Sequence, residues 1–433
     1  MASNFKRIMH RFSDDTSGNI AIMGSVGLLA LIFAVGAAVD MARLTQSATK
    51  LQDLNDAAAL AVSKRYSQTL DSRREDFASL MTQGINASSE LSGFKFDLKE
   101  KKSQTELVVS VSSTAESELF FSELWGEKKS VSAFSEVIIS SQTMEIAMVL
   151  DISSSMDDAR LTELKAASKS LINTLLDDKD IRERVTISMT PFGGTVRLPN
   201  ALEHMLIPPP TTAHWEGGTW NGCFSMSPID YTNGILPGDK FEFMPDFYGF
   251  TTQNPWCPEA GNELQPLTND RDKLFAVIDN FQRSDGTGTD IAAVWGFSTL
   301  DPNWRGAVPG GLQGTPRNFD TRTRKIMIIM SDGGLTEQKA PTPGQLLQPK
   351  PIKATQTVVA RPAAQQGYED ICAHAKSKGV TILTVGFSID NPGHENDLKS
   401  CASEGGHISA NVGQLEAAFS QVALSVSPTR LSR

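Results

Sequence analysis

The chain has 433 residues, with 50 Asp plus Glu against 40 Lys plus Arg and a formal net charge of −10. That acidic excess argues against nucleic acid as a partner, because gripping phosphates needs concentrated basic surface. The composition suits a folded protein outside the cytoplasm, and the chain carries four cysteines.

From Ile20 to Val39 the chain runs without a charge, IAIMGSVGLLALIFAVGAAV. About twenty apolar residues is the length that crosses a bilayer as a helix. A cleavable signal would have a shorter apolar stretch and then a small-residue cleavage site. Here Asp40-Met41-Ala42-Arg43 continues into a helical pattern, so an uncleaved anchor is expected. Lys6, Arg7 and Arg11 precede the span and favour a cytoplasmic N-terminus over residues 1–17, although Asp14 and Asp15 lie nearer the membrane and Arg43 and Lys50 follow it. Leu44, Leu51, Leu54, Ala58 and Leu60 recur at helical spacing with Lys50, Asp53 and Asp56 between them, which predicts one helix continuing to about Arg65.

The runs Gly18-Asn19-Ile20-Ala21-Ile22, Ala37-Ala38-Val39-Asp40 and Leu51-Gln52-Asp53-Leu54-Asn55-Asp56-Ala57-Ala58-Ala59-Leu60-Ala61 resemble the N-terminal module of TadG-like proteins, which serve the tight-adherence (Flp) pilus systems of bacteria. The resemblance covers roughly residues 10 to 65, with the module itself at 18–65, and implies an inner-membrane protein of pilus assembly, with its main mass periplasmic or extracellular. One position departs from the related prepilins: they have a glutamate five residues after the cleavage-site glycine, and after Gly18 that place is Met23. Processing by a prepilin peptidase and polymerisation as a pilin are therefore not expected.

Residues 66–142 read as a small α+β stalk or linker. A helical pattern over Arg73–Met81 precedes the alternating strand Leu107–Ser112 and the strand-like runs Ser130–Phe134 and Glu136–Ser140.

The apolar run Ile146–Leu150 ends in Asp151-Ile152-Ser153-Ser154-Ser155. One carboxylate and two hydroxyls thus fall on a loop at the carboxyl edge of a sheet, where open α/β sheets bind ligands. The set is all hard oxygen with little negative charge, which suits Mg²⁺ and leaves positions for water or a partner. The same Asp and Ser would also serve as caps for a helix starting near Asp157-Asp158-Ala159-Arg160. A second buried-strand run, Lys325–Met330, ends in Ser331-Asp332-Gly333-Gly334, and between the two lies Gly286-Thr287-Gly288-Thr289-Asp290-Ile291 at the head of a helical pattern. Asp-x-Ser-x-Ser, then Gly-Thr-Asp-Ile, then strand-Ser-Asp-Gly resembles the metal-ion-dependent adhesion site of von Willebrand factor A domains. The resemblance implies that Asp151, Ser153, Ser155, Thr289 and Asp332 surround one divalent cation, Mg²⁺ or else Mn²⁺ or Ca²⁺. Read as turn and cap residues, Thr289 and Asp332 need no metal.

The remainder, 143–433, alternates strands and helices as a doubly wound, Rossmann-like sheet requires. Strands are expected at Glu145–Asp151, Arg184–Thr190, Lys325–Met330 and Val380–Phe387, with a short edge strand near Thr195–Leu198. Helices are expected at Leu161–Leu176, Arg271–Phe281, Asp290–Leu300, Asp370–Lys378 and Val412–Val422. Three inserts absorb the excess length, near 199–266, 306–317 and 339–361. The first holds Pro208-Pro209-Pro210, Trp215, Trp220 and Trp256. The cysteines lie as two well-separated pairs, Cys223 with Cys257 and Cys372 with Cys401. Four cysteines allow three connectivities, and sequence does not choose among them. An oxidising compartment would make them disulfides. Cys372-Ala373-His374 invites zinc instead, but without the usual Cys-x₂-Cys spacing.

No Gly-x₄-Gly-Lys-Ser/Thr loop and no His-Glu-x-x-His is present, and none of the six histidines is paired in sequence with a nucleophile. His394 and His407 fall in polar turns, where a solvated histidine is ordinary. An enzyme is therefore not expected. The expected role is a membrane-anchored, cation-dependent binding factor that grips other pilus-assembly or envelope proteins, an acidic partner residue completing the metal's coordination. The alternative is a scaffold of an envelope complex in which the cation only pins loops together.

Overall fold

The computed structural model describes residues 19–63, 68–88, 90–103, 106–119, 129–140, 142–177, 179–207, 220–226, 233–251, 253–342, 355–426 and 429–431. The expected cytoplasmic segment 1–17, Pro208–Pro210 and Trp215 lie outside these. The chain divides into two compact units, 1–139 with 429–433, and 140–428.

The first unit begins with helix α1, Asn19–Val62, at 44 residues the one described helix long and apolar enough to cross a membrane. Its two halves differ. Met23, Val26, Leu28, Leu29, Leu31, Ile32 and Phe33 are exposed apolar side chains, whereas Leu51, Asn55, Ala58, Ala59 and Val62 are buried. The second half packs with helix α2, Leu70–Asn86, on strands β1 (Leu91–Lys102), β2 (Glu106–Ser117) and β3 (Lys129–Ser140), an antiparallel sheet that a short strand at Thr429–Leu431 extends beside β3. Asn55 is satisfied inside this core by a 2.6 Å bond from its Nδ2 to Ser135 Oγ. Helix and stalk, separate in the sequence reading, thus share one hydrophobic core. The boundary with the second unit falls at 139/140 instead of 142/143, and the chain's last strand returns to the first unit.

The second unit is built on a six-stranded sheet. Its strands in chain order are β4 (Thr143–Asp151), β5 (Val185–Phe192), β6 (Gln265–Thr268), β7 (Thr323–Ser331), β8 (Thr381–Phe387) and β9 (His407–Ala410), and their order across the sheet is β9-β8-β7-β4-β5-β6. All neighbours are parallel except β5 and β6. That is a doubly wound sheet: connections run one way from β4 and the other way from β7, leaving the topological switch point between them.

The central strands are apolar throughout because both faces are covered. Ala147 and Val149 face a core built with helices α5 (Thr289–Ser298) and α6 (Arg361–Ser377); Ile146, Met148 and Leu150 face one built with α3 (Asp158–Leu176), α4 (Arg271–Asp279) and α8 (Leu415–Val426). Helix α7, Pro392–Cys401, completes the set. On α5, Gly296 is required by close approach, since a Cβ there would lie 2.4 Å from Val149 Cγ2.

The expected elements are present, with corrections at the edge strand and at the third insert, and the two expected disulfides form. The edge strand is β6, at the end of the first insert, whereas near Thr195–Leu198 only single bridges form, Phe192 with Val196 and Arg197 with Glu263. Helix α6 starts at Arg361 and not at the expected Asp370, and the third insert contributes to a hairpin of Gln338–Pro341 with Thr355–Val359. Cys223–Cys257 and Cys372–Cys401 are disulfides, so the described cysteines have no thiolate to offer zinc.

Candidate metal centre

Strands β4 and β7 are adjacent and parallel, so their carboxyl ends emerge side by side at the switch point. β4 ends in Asp151 and β7 in Ser331, followed at once by Asp332. Register alone therefore brings the two carboxylates to one edge.

Both are buried. Asp151 Oδ1 accepts the Ser153 N–H at 2.7 Å, closing a tight turn, and Oδ2 accepts Ser331 Oγ at 2.6 Å. Ser153 Oγ lies 2.8 Å from Ser155 Oγ, and Ser155 Oγ donates to Asp332 Oδ1 at 2.6 Å. The other oxygen of Asp332 accepts Arg160 Nη1 at 2.9 Å. Four of the five expected residues, Asp151, Ser153, Ser155 and Asp332, thus form one continuous oxygen cluster.

Thr289 is placed by backbone ties. It is the first residue of α5, buried, behind Gly288. Gly288 N–H donates to Gly193 O at 2.7 Å, in a contact so close that a Cβ on Gly288 would sit 2.3 Å from Gly194 O. The same stretch takes the Asp151 loop, through Ile152 N–H to Phe192 O at 2.8 Å. On the other side, Thr287 N–H donates to Thr336 Oγ1 and Thr336 N–H to Thr287 O, both at 3.0 Å, four residues beyond Asp332. The Thr289 loop is therefore laced to both acidic loops.

Burial and the Asp332 charge push the Asp151 carboxyl up to about 7, against the opposing pull of its Ser153 and Ser331 hydrogen bonds. Asp332 is also raised, by burial, while Ser155 and Arg160 hold it down. Two buried like charges at one edge require a proton or a cation between them. A small hard cation fits this set: two carboxylates and serine hydroxyls, no nitrogen or sulfur. Among the described residues no group of three or more His, Cys, Asp or Glu side chains is placed to hold a metal; the set here relies on hydroxyls instead.

Sequence reasoning passed over two contributors. Ser331 was quoted within the strand-Ser-Asp-Gly motif but given no role, yet its hydroxyl holds Asp151. Arg160 stands in the first turn of α3, capped by Asp157 through the Arg160 N–H at 2.9 Å. A cation is disfavoured at a helix N-terminus by the macrodipole, and that conflict was the available signal that a carboxylate faces it. A further anchor is Asp285, whose Oδ2 accepts the N–H groups of Gly249, Phe250 and Thr251 at 2.8, 2.6 and 2.9 Å and so fixes the disulfide-bearing insert to the loop before Thr289.

His407 is not the solvated turn residue expected. It starts β9, with Nδ1 2.8 Å from Thr384 Oγ1 and Nε2 3.0 Å from Glu395 Oε1. Ser409 Oγ meets the same Nε2 at 3.4 Å. Ser409 shares its ring nitrogen with Glu395, and the hydroxyl on the opposite nitrogen, Thr384, is fully buried, so no accessible nucleophile stands opposite the acid.

Residues 18–64 match the family described as putative Flp pilus-assembly TadE/G-like. No curated protein sequence matches the chain. Among solved structures, it is similar to the von Willebrand factor domain of the type V pili tip protein Mfa5 from Porphyromonas gingivalis, at 15% identity and a TM-score of 0.38, over 66% of this chain and 95% of that one. A point mutant of the PilB minor pilin from Streptococcus sanguinis is similar at 12% identity and a TM-score of 0.37, over 77% and 79%. The adhesive tip pilin GBS104 from Group B Streptococcus agalactiae is similar at 10% identity and a TM-score of 0.33, over 65% and 98%. The N-terminal segment, residues 18–64, is thus the part of the chain that matches a TadE/G-like Flp pilus-assembly family.

Proposed function

We propose that the chain is a divalent-cation-dependent protein-binding factor of Flp pilus assembly, held in the inner membrane by α1 with its N-terminus cytoplasmic and its second unit outside. The observation that carries this reading is the Asp151–Ser153–Ser155–Asp332 cluster at the switch-point edge of a chain whose first segment matches a pilus-assembly family. When bound there, Mg²⁺ or Mn²⁺ would offer a coordination position to a partner carboxylate. The chain's own residues supply the rest: Ser331 and the Ser153 N–H orient Asp151, Ser155 orients Asp332, and the Thr289 loop closes the edge. The hydroxyls and carboxylates converge as a set of hard oxygens with no histidine, lysine or cysteine among them, and we read that set as holding a cation for a partner to grip and not as transforming a substrate.

The test uses the full-length protein in detergent, titrated with Mg²⁺ and Mn²⁺ by calorimetry. Wild type should bind and Asp151→Ala and Asp332→Ala should not; equal affinity in all three removes the site. In the producing bacterium, deleting the gene should abolish surface pili, and Asp151→Ala at normal protein level should reproduce much of that loss. A deletion strain that pilates normally refutes the assembly role. A point mutant that behaves as wild type reduces the cation to a structural part.

A further inference from the structure

We infer that Arg160 sets the charge of the cation site, weakening metal binding while leaving the loaded site electropositive toward an anionic group from a partner. This rests on the cation site proposed above. Arg160 Nη1 lies 2.9 Å from Asp332 Oδ2 and 3.4 Å from Ser155 O. The Asp332 side chain is fully buried and that of Arg160 is 25% exposed, so the pair is shielded on one side and reachable on the other. Asp332 is divided between two neighbours: Oδ1 turns to the serines and Oδ2 to the guanidinium.

The other nearby charges have their own partners. Asp158 pairs with Arg283 at 3.3 Å, Asp290 accepts Gln338 Nε2 at 3.0 Å, and Asp285 is taken up by backbone N–H groups. The charged groups within the cluster's own hydrogen bonds are two carboxylates and one guanidinium, a single negative charge in excess. A divalent cation converts that to a single positive charge in excess, and a carboxylate from a partner then neutralises the whole. Without Arg160 the two aspartates alone would neutralise the cation, and a third carboxylate would arrive at a site with nothing left to balance it. At a shielded edge such a difference is felt far more strongly than in bulk water. The arginine also occupies a helix position that its charge disfavours, so its benefit lies in the cluster it faces and not in the helix.

The experiment takes the full-length protein in detergent, with Mn²⁺ as the metal and acetate as the carboxylate probe. Mn²⁺ affinity is read by calorimetry, and acetate binding to the Mn²⁺-loaded protein by loss of water-proton relaxation enhancement. Arg160→Gln should bind Mn²⁺ about tenfold more tightly, a shift of about 1.4 kcal/mol, and should need about tenfold more acetate. Arg160→Met should behave the same way, and Arg160→Lys should stay near wild type in both readings. A merely structural arginine would move both affinities downward or neither. Neutral variants that fold as wild type but bind Mn²⁺ no more tightly overturn the inference, as does tighter metal binding with acetate unchanged. A wild type that binds no Mn²⁺ overturns the cation site itself, and this inference with it.

Discussion

Strands β4 and β7 carry charged groups at both ends, and the two ends are built on opposite plans. At their beginning Glu145 and Lys325 are direct cross-strand partners. Lys325 Nζ donates to Glu145 Oε2 at 2.6 Å and to the carbonyls of Leu300 and Arg317 at 2.6 and 2.5 Å, while Glu145 Oε1 accepts the Arg317 N–H at 2.7 Å. Every donor of the ammonium is used, and the carboxylate is matched on both oxygens, by the ammonium at 2.6 Å and by the Arg317 guanidinium at 3.5 Å. At the far end of the same strands Asp151 and Asp332 are like charges, steadied by hydroxyls and one arginine. Burial is equally deep at both ends. A buried charge is thus no marker of function by itself; a buried charge whose neighbours leave it unbalanced is.

The closed end should give the largest effect when broken. Removing one member of a buried ion pair leaves the other charge stranded, at a cost of about 3–5 kcal/mol. Glu145→Ala should lower the second unit's stability by that amount, read from near-UV circular dichroism during urea unfolding. Glu145→Met combined with Lys325→Met should recover most of the loss, because it removes both charges and keeps volume. A Glu145→Ala variant as stable as wild type would mean that the pair contributes no more than a surface salt bridge.

The open end should respond in the opposite sense. Asp332→Asn and Asp151→Asn each relieve a like-charge contact, so with chelator present they should unfold no earlier than wild type. What they should lose is stabilisation by cation. At Mg²⁺ about a hundredfold above its Kd, wild type should gain about 2.7 kcal/mol, and both variants should gain nothing. Glu145→Ala, although weakened, should keep the full Mg²⁺ response. If that response vanishes with Glu145, the two ends are coupled and the contrast between them fails.

Much of this was legible in the chain, for reasons that differ by residue. β4 and β7 announce themselves as apolar runs because both faces are buried, and acids directly after them must lie at a sheet edge. Pairing of the two edges was carried by the order of three motifs, not by any one of them. β1 was missed because only Leu91 and Leu98 of Leu91–Lys102 are buried, with Lys95, Lys99, Lys101 and Lys102 interspersed. β6 was missed because four residues containing Pro266 show no alternation, and α7 because only Leu398 and Cys401 on it are buried. The cysteine pairing was beyond sequence, since connectivity is decided by which chain segments the fold brings together. Arg160 was passed over as a capping neighbour, because its role depends on a carboxylate 172 positions away.

The subtlest difference between the two ends is in protons. Asp151 has its carboxyl raised from an ordinary 3.8 to about 7, and Asp332 moves in the same direction. In that window the folded chain retains a proton that the unfolded chain has already released, so stability is greatest at low pH and falls as pH rises toward the folded value. For one group near the end of its window the fall is on the order of 1 kcal/mol between pH 6 and pH 7. His374, lowered by burial, gives an opposing slope in the same range. Comparison with Asp151→Asn, which keeps His374, therefore isolates the carboxylate. With chelator, wild type should lose stability relative to Asp151→Asn as pH rises from 5 to 8. A cation takes the proton's place, so Mg²⁺ should remove that difference and release close to one proton on binding at pH 6, but almost none at pH 8.5. Calorimetry of Mg²⁺ binding in buffers of different ionisation enthalpy counts those protons directly. A release that is zero at both pH values would mean that Asp151 is already ionised before the cation arrives, and that the open end is as well balanced as the closed one.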